Sequence, residues 1–219
     1  MAIMNAKTSE KFNRFIRKCP YLIQKVFFWI SYKRQFARWI KEGKPFPPAR
    51  KVKEEMVDTY RQMTGYNTLV ETGTYFGDMV FAQLKKFKNI YSIELDNWLY
   101  SEAKKRFKAF SHVKIIQGDS GKVLSEIIKE LDAPAVFWLD GHYSGGITAL
   151  GEKSTPVFEE LKIIFSKKLN HALLIDDARL FTGDGGYPTL EELKGFIHQY
   201  HPDQDVRVSD DCIQILLKN

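Results

Sequence analysis

Thr68-Leu69-Val70-Glu71-Thr72-Gly73-Thr74-Tyr75-Phe76-Gly77-Asp78 decides how the rest of this chain is read. A short apolar run ends in an acid. A first glycine then lets the backbone turn tightly beneath a ligand, and a second permits close packing where a helix begins. A glycine pair of this kind also occurs in ordinary strand-to-helix turns, so its meaning rests on what surrounds it.

Toward the C-terminus, short apolar runs recur at Ile90–Glu94, Val113–Gln117, Ala135–Leu139 and Ala172–Ile175, with helix-like segments between them. This alternation predicts an α/β fold, a parallel sheet with helices on both faces. Val206–Ser209 and Ile213–Leu217 are separated by Asp210, Asp211 and Cys212 alone. That is too little chain for a helical crossover, so an antiparallel hairpin is expected.

Open α/β sheets bind ligands beyond the carboxyl ends of their strands. Glu94 closes the second strand 23 residues after Glu71, where a carboxylate can accept hydrogen bonds from ribose hydroxyls. The third strand leads into Gly118-Asp119-Ser120, the fourth into Asp140-Gly141-His142, and the fifth into Asp176-Asp177. Asp140, Asp176 and Asp177, arriving at one sheet edge, would repel one another unless a cation or protons compensate them. Carboxylate oxygens suit a hard divalent ion. The plainer alternative is that each Asp caps a neighbouring helix or turn.

Together, Glu-x-Gly-x-x-x-Gly at 71–77, the acid closing the second strand, Gly118-Asp119-Ser120 and the terminal hairpin resemble the class I S-adenosylmethionine-dependent methyltransferases over residues 65–219. The resemblance implies a Rossmann-like, mostly parallel sheet of seven strands with the last one antiparallel, and methyl transfer from S-adenosylmethionine. Glu71, Gly73 and Gly77, with Thr72, Thr74 and Tyr75 beside them, would surround the methionine part of that cofactor. Glu94 would meet the ribose, Asp119 and Ser120 the adenine, and Asp140 would border the same pocket.

Asp140 with the Asp176-Asp177 pair is similar to the Mg²⁺ site of metal-dependent O-methyltransferases, such as the catechol and macrolide-sugar enzymes. That likeness implies Mg²⁺ or another divalent cation, and an acceptor hydroxyl on a small molecule, sugar or glycan. The catechol enzyme uses a lysine as base, whereas here His142 is the candidate. It has three open roles: base, metal ligand or loop histidine without chemistry.

Rival readings are weaker. Thr72-Gly73 with Gly77 and the Tyr100/Lys104 pair mimic a short-chain dehydrogenase, but Tyr100 lies too early in the chain and Met79 stands where that turn has a glycine. Amino-directed nucleic-acid methyltransferases carry Asn/Asp-Pro-Pro-aromatic after the fourth strand, and cytosine-carbon enzymes need a nearby cysteine; this chain has neither. An RNA methyltransferase using a basic extension, and a non-catalytic scaffold, stand as alternatives.

The chain has 219 residues, enough for one covered core with an appendage. Cys19 and Cys212, its two cysteines, are too few for a disulfide framework or a thiolate zinc site. No uncharged apolar run of membrane-spanning length is present, which points to a cytoplasmic protein.

Residues 1–55 hold 14 Lys/Arg and 4 Asp/Glu, net +10, so the remaining 19 and 23 give the body net −4. The basicity therefore belongs to an extension, 1–50, and the expected domain is 51–219. Within 12–40, Phe, Trp, Ile and Leu at helical spacing interleave with Lys and Arg. This segment reads as a packing or homodimer element, or as a basic helix lying at the inner face of a membrane. Nucleic acid is the least favoured partner.

Overall fold

In a computed structural model, residues 12–141 and 155–218 are described, and the chain divides into two units, one ending at Val52 and the other beginning at Lys53. The division falls two residues beyond the expected boundary, inside a helix. The first unit holds α1 (12–16) and α2 (Tyr21–Lys41), and α3 (Arg50–Thr64) starts at its end. Pro20, which cannot continue a helix from behind, occupies the N-cap position of α2. Gln24 and Phe28 are its buried side chains. Phe28 stacks on Tyr32 at 5.4 Å, while Gln24 Nε2 donates to the Cys19 carbonyl at 2.7 Å.

The second unit follows the predicted alternation. Its strands are β1 (Thr68–Thr72), β2 (Asn89–Glu94), β3 (Val113–Gln117), β4 (Val136–Leu139) and β5 (Ala172–Ile175). Between them run α4 (Asp78–Gln83), α5 (Asn97–Phe107), α6 (Ser120–Glu130) and α7 (Val157–Phe165). A 3₁₀ turn at Ala178–Leu180, α8 (Leu190–Tyr200), β6 (Val206–Ser209) and β7 (Cys212–Leu216) complete it.

The seven strands form one sheet in the order β3-β2-β1-β4-β5-β7-β6, in which β7 alone runs antiparallel to its two neighbours. Cys212 belongs to β7, so the hairpin turn is Asp210-Asp211 rather than the three residues expected. Both have positive φ, 49° and 62°, as a type I′ turn requires. Every residue of β4 and β5 is buried, as central parallel strands should be. One sheet face packs Val70, Phe137, Leu173 and Ile215 against Leu124, Leu161 and Leu193 of α6, α7 and α8.

Register aligns the strand ends. Thr72 lies beside Ile93 and Leu139, and Leu139 beside Ile175. Gly73, Asp140 and Asp176 therefore leave the sheet at one level, flanking the place between β1 and β4 where the strand order reverses. Such a reversal opens a crevice.

Candidate active site

Gly73 has φ +84° and donates its N–H to the Ile93 carbonyl at 2.9 Å. A Cβ there would collide with the carbonyl oxygen of Asp140 and come within 3.3 Å of Gly141 Cα, so the turns after β1 and β4 touch backbone to backbone. Gly77, at φ +72°, meets Phe107 instead: a Cβ would lie 2.5 Å from its ring. Gly73 makes the tight turn read from the sequence, with the Asp140 backbone against it, and Gly77 makes the close helix packing. A buried pair fixes the turn between them, since Arg106 donates to Asp78 Oδ1 at 2.7 Å and to the Phe76 carbonyl at 2.6 Å.

Glu94 accepts from the backbone N–H of Tyr75 at 2.7 Å and of Asp96 at 2.9 Å. Burial nevertheless pushes its carboxyl upward against those two hydrogen bonds. Glu71 is buried and accepts from the Ser92 hydroxyl, which in turn lies 2.6 Å from Thr74 Oγ1. Asp119 caps α6, accepting the Gly121 N–H at 3.0 Å beside the buried Ser120. Asp96 caps α5 in the same way. The capping alternative raised for the trio fails for Asp177, whose side chain makes no cap hydrogen bond.

Asp140, Asp176 and Asp177 converge. One carboxylate oxygen of each lies within 4.8 Å of the others, with Asp176 buried. Asp177 sits in the left-handed region, φ 56°, and its N–H donates to Asp176 Oδ1 at 2.8 Å. The repulsion expected from the sequence is relieved by a cation that the sequence reading did not single out. Lys53, near the start of α3, places Nζ 2.5 Å from Asp176 Oδ2 and 3.2 Å from Asp177 Oδ1. Burial and then the charge of Asp140 hold the Asp176 carboxyl above its ordinary range. Lys53 is also raised: burial opposes its charge, and the surrounding acids outweigh burial. Arg179 adds a second cation, bridging Asp177 at 2.8 Å and Asp211.

Glu160 is a second residue missed. It is buried on α7, next to the hydroxyls of Ser120 and Thr72, and burial lifts its carboxyl to about 7. Its Oε1 and Thr72 Oγ1 complete no hydrogen bond, and a Cβ on Gly141 would lie 3.1 Å and 3.0 Å from them. Both residues left a signal in the sequence. Glu160 follows Val157 by three and precedes Ile164 by four, and Lys53 precedes Val57 by four, so each charge lies on an apolar helical stripe.

His142 and the glycine-containing segment Tyr143–Gly151, with Glu152 and Lys153, lie outside the described residues. The second glycine-containing loop, 181–187, borders a groove lined by Thr155, Phe158, Tyr187, Pro188, Phe196 and Gln199. Burial, followed by the charges of Asp177 and Asp140, pushes the Tyr187 phenol up to about 12, which ties this groove electrostatically to the acids.

No family model matches the sequence, and no curated protein does. Solved structures do match. A Podospora anserina methyltransferase bound to SAH is 18% identical over 98% of this chain and 97% of its own, with a TM-score of 0.57. The O-methyltransferase TomG of Streptomyces achromogenes, involved in tomaymycin synthesis and solved with SAM, is 12% identical over 86% and 89%, also at 0.57. An O-methyltransferase from Bacillus cereus solved with SAH is 11% identical over 85% and 90%, at 0.53. The chain has the fold of the class I methyltransferases.

In this methyltransferase fold the crevice between β1 and β4 carries features that suit a bound cofactor. The Gly73 turn has no room for a side chain, and Thr72 Oγ1 and Glu160 Oε1 lie buried beside Gly141. The acid trio borders the same crevice through Asp140, and hard carboxylate oxygens suit a divalent ion. Lys53 and Arg179 already meet part of the trio's charge.

Proposed function

We propose that the protein transfers a methyl group from S-adenosylmethionine to a hydroxyl oxygen of a small molecule, sugar or glycan, with a divalent cation, Mg²⁺ being the natural candidate, held by Asp140, Asp176 and Asp177. The observation that carries this reading is the meeting of three carboxylates within 4.8 Å at the crevice where Gly73 abuts Asp140.

The chain's own residues divide the work. Glu94, already anchored by two backbone N–H groups, keeps lone pairs for ribose hydroxyls. Asp119 and Ser120, at the start of α6, are offered to the adenine, while Gly73 lets the methionine part pass close to the backbone. Thr72 Oγ1 and the protonated form of Glu160 supply buried hydrogen-bonding capacity beside them. Asp140, Asp176 and Asp177 would hold the cation, and Lys53, which already contacts Asp176 and Asp177, would share their oxygens with it. A bound divalent ion lowers the pKa of a hydroxyl it touches, so a modest base suffices. His142, two residues past Asp140, is the proposed proton acceptor. The aromatic groove beside Tyr187 is the proposed seat of the acceptor's ring.

A second reading is favoured by one observation, the position of Lys53. Its ammonium already bridges Asp176 and Asp177, and would serve as the permanent cation of a metal-free site.

Calorimetric titration with S-adenosylmethionine and with its demethylated product, each with Mg²⁺ and with chelator, tests the reading. Micromolar binding supports it and directs the search to catechol and sugar acceptors. Absence of binding under both conditions overturns it in favour of a scaffold role.

A further inference from the structure

The outer face of α2 is the largest feature that methyl transfer leaves unexplained. Leu22, Ile23, Val26, Trp29, Ile30 and Ile40 lie along one side of this helix, and their exposures run from 38% to 71%. The opposite side carries its buried pair, Gln24 and Phe28. Phe15, 64% exposed, and Phe12, 51% exposed, extend the apolar surface onto α1. Soluble proteins seldom leave an apolar cluster such as Leu22 to Ile30 uncovered.

The charges around the stripe choose its occupant. Residues 12–52 contain eleven Lys/Arg and a single acid, Glu42, which Arg38 binds at 2.8 Å. Lys25, Lys33, Arg34 and Lys41 are distributed along α2, and Lys33 sits over the Trp29 ring at 4.3 Å, its stem along the apolar face. A second copy of residues 12–52 would set net +10 against net +10 across the stripe. A bilayer carrying anionic headgroups matches both features at once: Trp and the aliphatic side chains enter the interface while Lys and Arg remain at the level of the phosphates. Among the described residues no helix is long and apolar enough to cross a membrane, so the helix would lie along the surface.

We propose that α2 docks this protein onto anionic lipid surfaces, with Leu22, Val26, Trp29 and Ile30 as the inserted side chains. The test is co-sedimentation of the full chain with phosphatidylcholine vesicles, with and without phosphatidylglycerol, in low and high salt. The expected result is partitioning at least about tenfold stronger on the anionic vesicles, weakened by salt. A Val26→Glu/Trp29→Glu double variant should lose that partitioning while keeping the circular dichroism and melting temperature of the parent, since both side chains are exposed.

Equal binding of parent and variant, or no binding to either vesicle, overturns the proposal. A dimer in sedimentation velocity that the double variant abolishes, without vesicle binding, overturns it in favour of a second copy. Binding of an RNA oligonucleotide through the same side chains, with vesicles ignored, overturns it in favour of nucleic acid.

Discussion

The ammonium of Lys53 lies 2.5 Å from Oδ2 of Asp176, a residue 123 positions further along the chain. This contact supplies the only positive charge placed directly on Asp176 among the described ion pairs, at a point where two further carboxylates crowd it. It also sets the competition that governs the site, because any added cation must share these oxygens with a tethered one.

Lys53→Met is the sharpest probe of that competition. Removing the ammonium leaves a buried carboxylate without its partner, a loss of about 3–5 kcal/mol where no proton or ion takes over. If the trio is a metal site, Mg²⁺ should restore the lost melting temperature, and Mg²⁺ affinity by calorimetry should rise about tenfold. If Lys53 is itself the working cation, the variant should be inactive and its melting temperature indifferent to Mg²⁺.

Asp140→Asn and Asp177→Asn keep the shape and remove a charge each. Under the metal-assisted reading, methyl transfer should fall on the order of a thousandfold, with circular dichroism unchanged and S-adenosylmethionine binding largely kept. Excess chelator should bring the parent protein to the same low rate. Full activity in chelator would refute the metal's role.

Gly73→Ala tests the cradle. The residue needs φ +84°, and the new methyl group would strike the Asp140 carbonyl, so roughly 1–3 kcal/mol of stability should be lost. Binding of S-adenosylmethionine should weaken by more than the stability change alone explains, as read by calorimetry at a temperature where the variant remains folded.

Glu160 predicts a pH dependence of stability with a defined sign. Its carboxyl rises from 4.5 to about 7 on folding, because burial disfavours the charged form. The folded state thus holds its proton more tightly, and stability is lost as pH rises from 4.5 through about 7. Glu160→Gln lacks this loss, so its stability relative to the parent should climb across that window by about 3 kcal/mol and then level off. Buried His171, lowered by burial to about 4, titrates in both proteins and cancels from the difference. A flat difference between the two urea denaturation series would show that Glu160 is charged throughout.

Arg106→Ala removes the partner of Asp78 where side-chain exposures are 4% and 2%. About 3–5 kcal/mol should be lost, since breaking a buried pair by removing one partner is strongly destabilising. The turn from Gly73 to Gly77 should loosen with it, seen as faster amide exchange at Tyr75 and Phe76.

The solved neighbours agree with the fold read from Glu71 to Asp78 and from the alternation that follows. The strand runs, the terminal hairpin and the two glycine roles were legible because each depends on local periods, 2.0 for strands and 3.6 for helices, or on a single backbone angle. The hairpin turn is one residue shorter than expected, because Cys212 pairs with Ser209 of β6. Asp119 was legible as an acid after a strand, yet its use as a helix cap shows how one residue type serves two ends.

By itself the sequence determined a parallel α/β body with a reversed last strand, a basic extension, and acids at the carboxyl ends of the strands. Only the tertiary structure decided which of those acids meet, that Lys53 stands between two of them, and that Glu160 lies buried next to Thr72. It also turned the apolar side of α2 outward. The reason is physical: element type follows from neighbours a few residues apart, whereas a contact across 123 residues exists only once strand register and helix packing have fixed where each side chain ends.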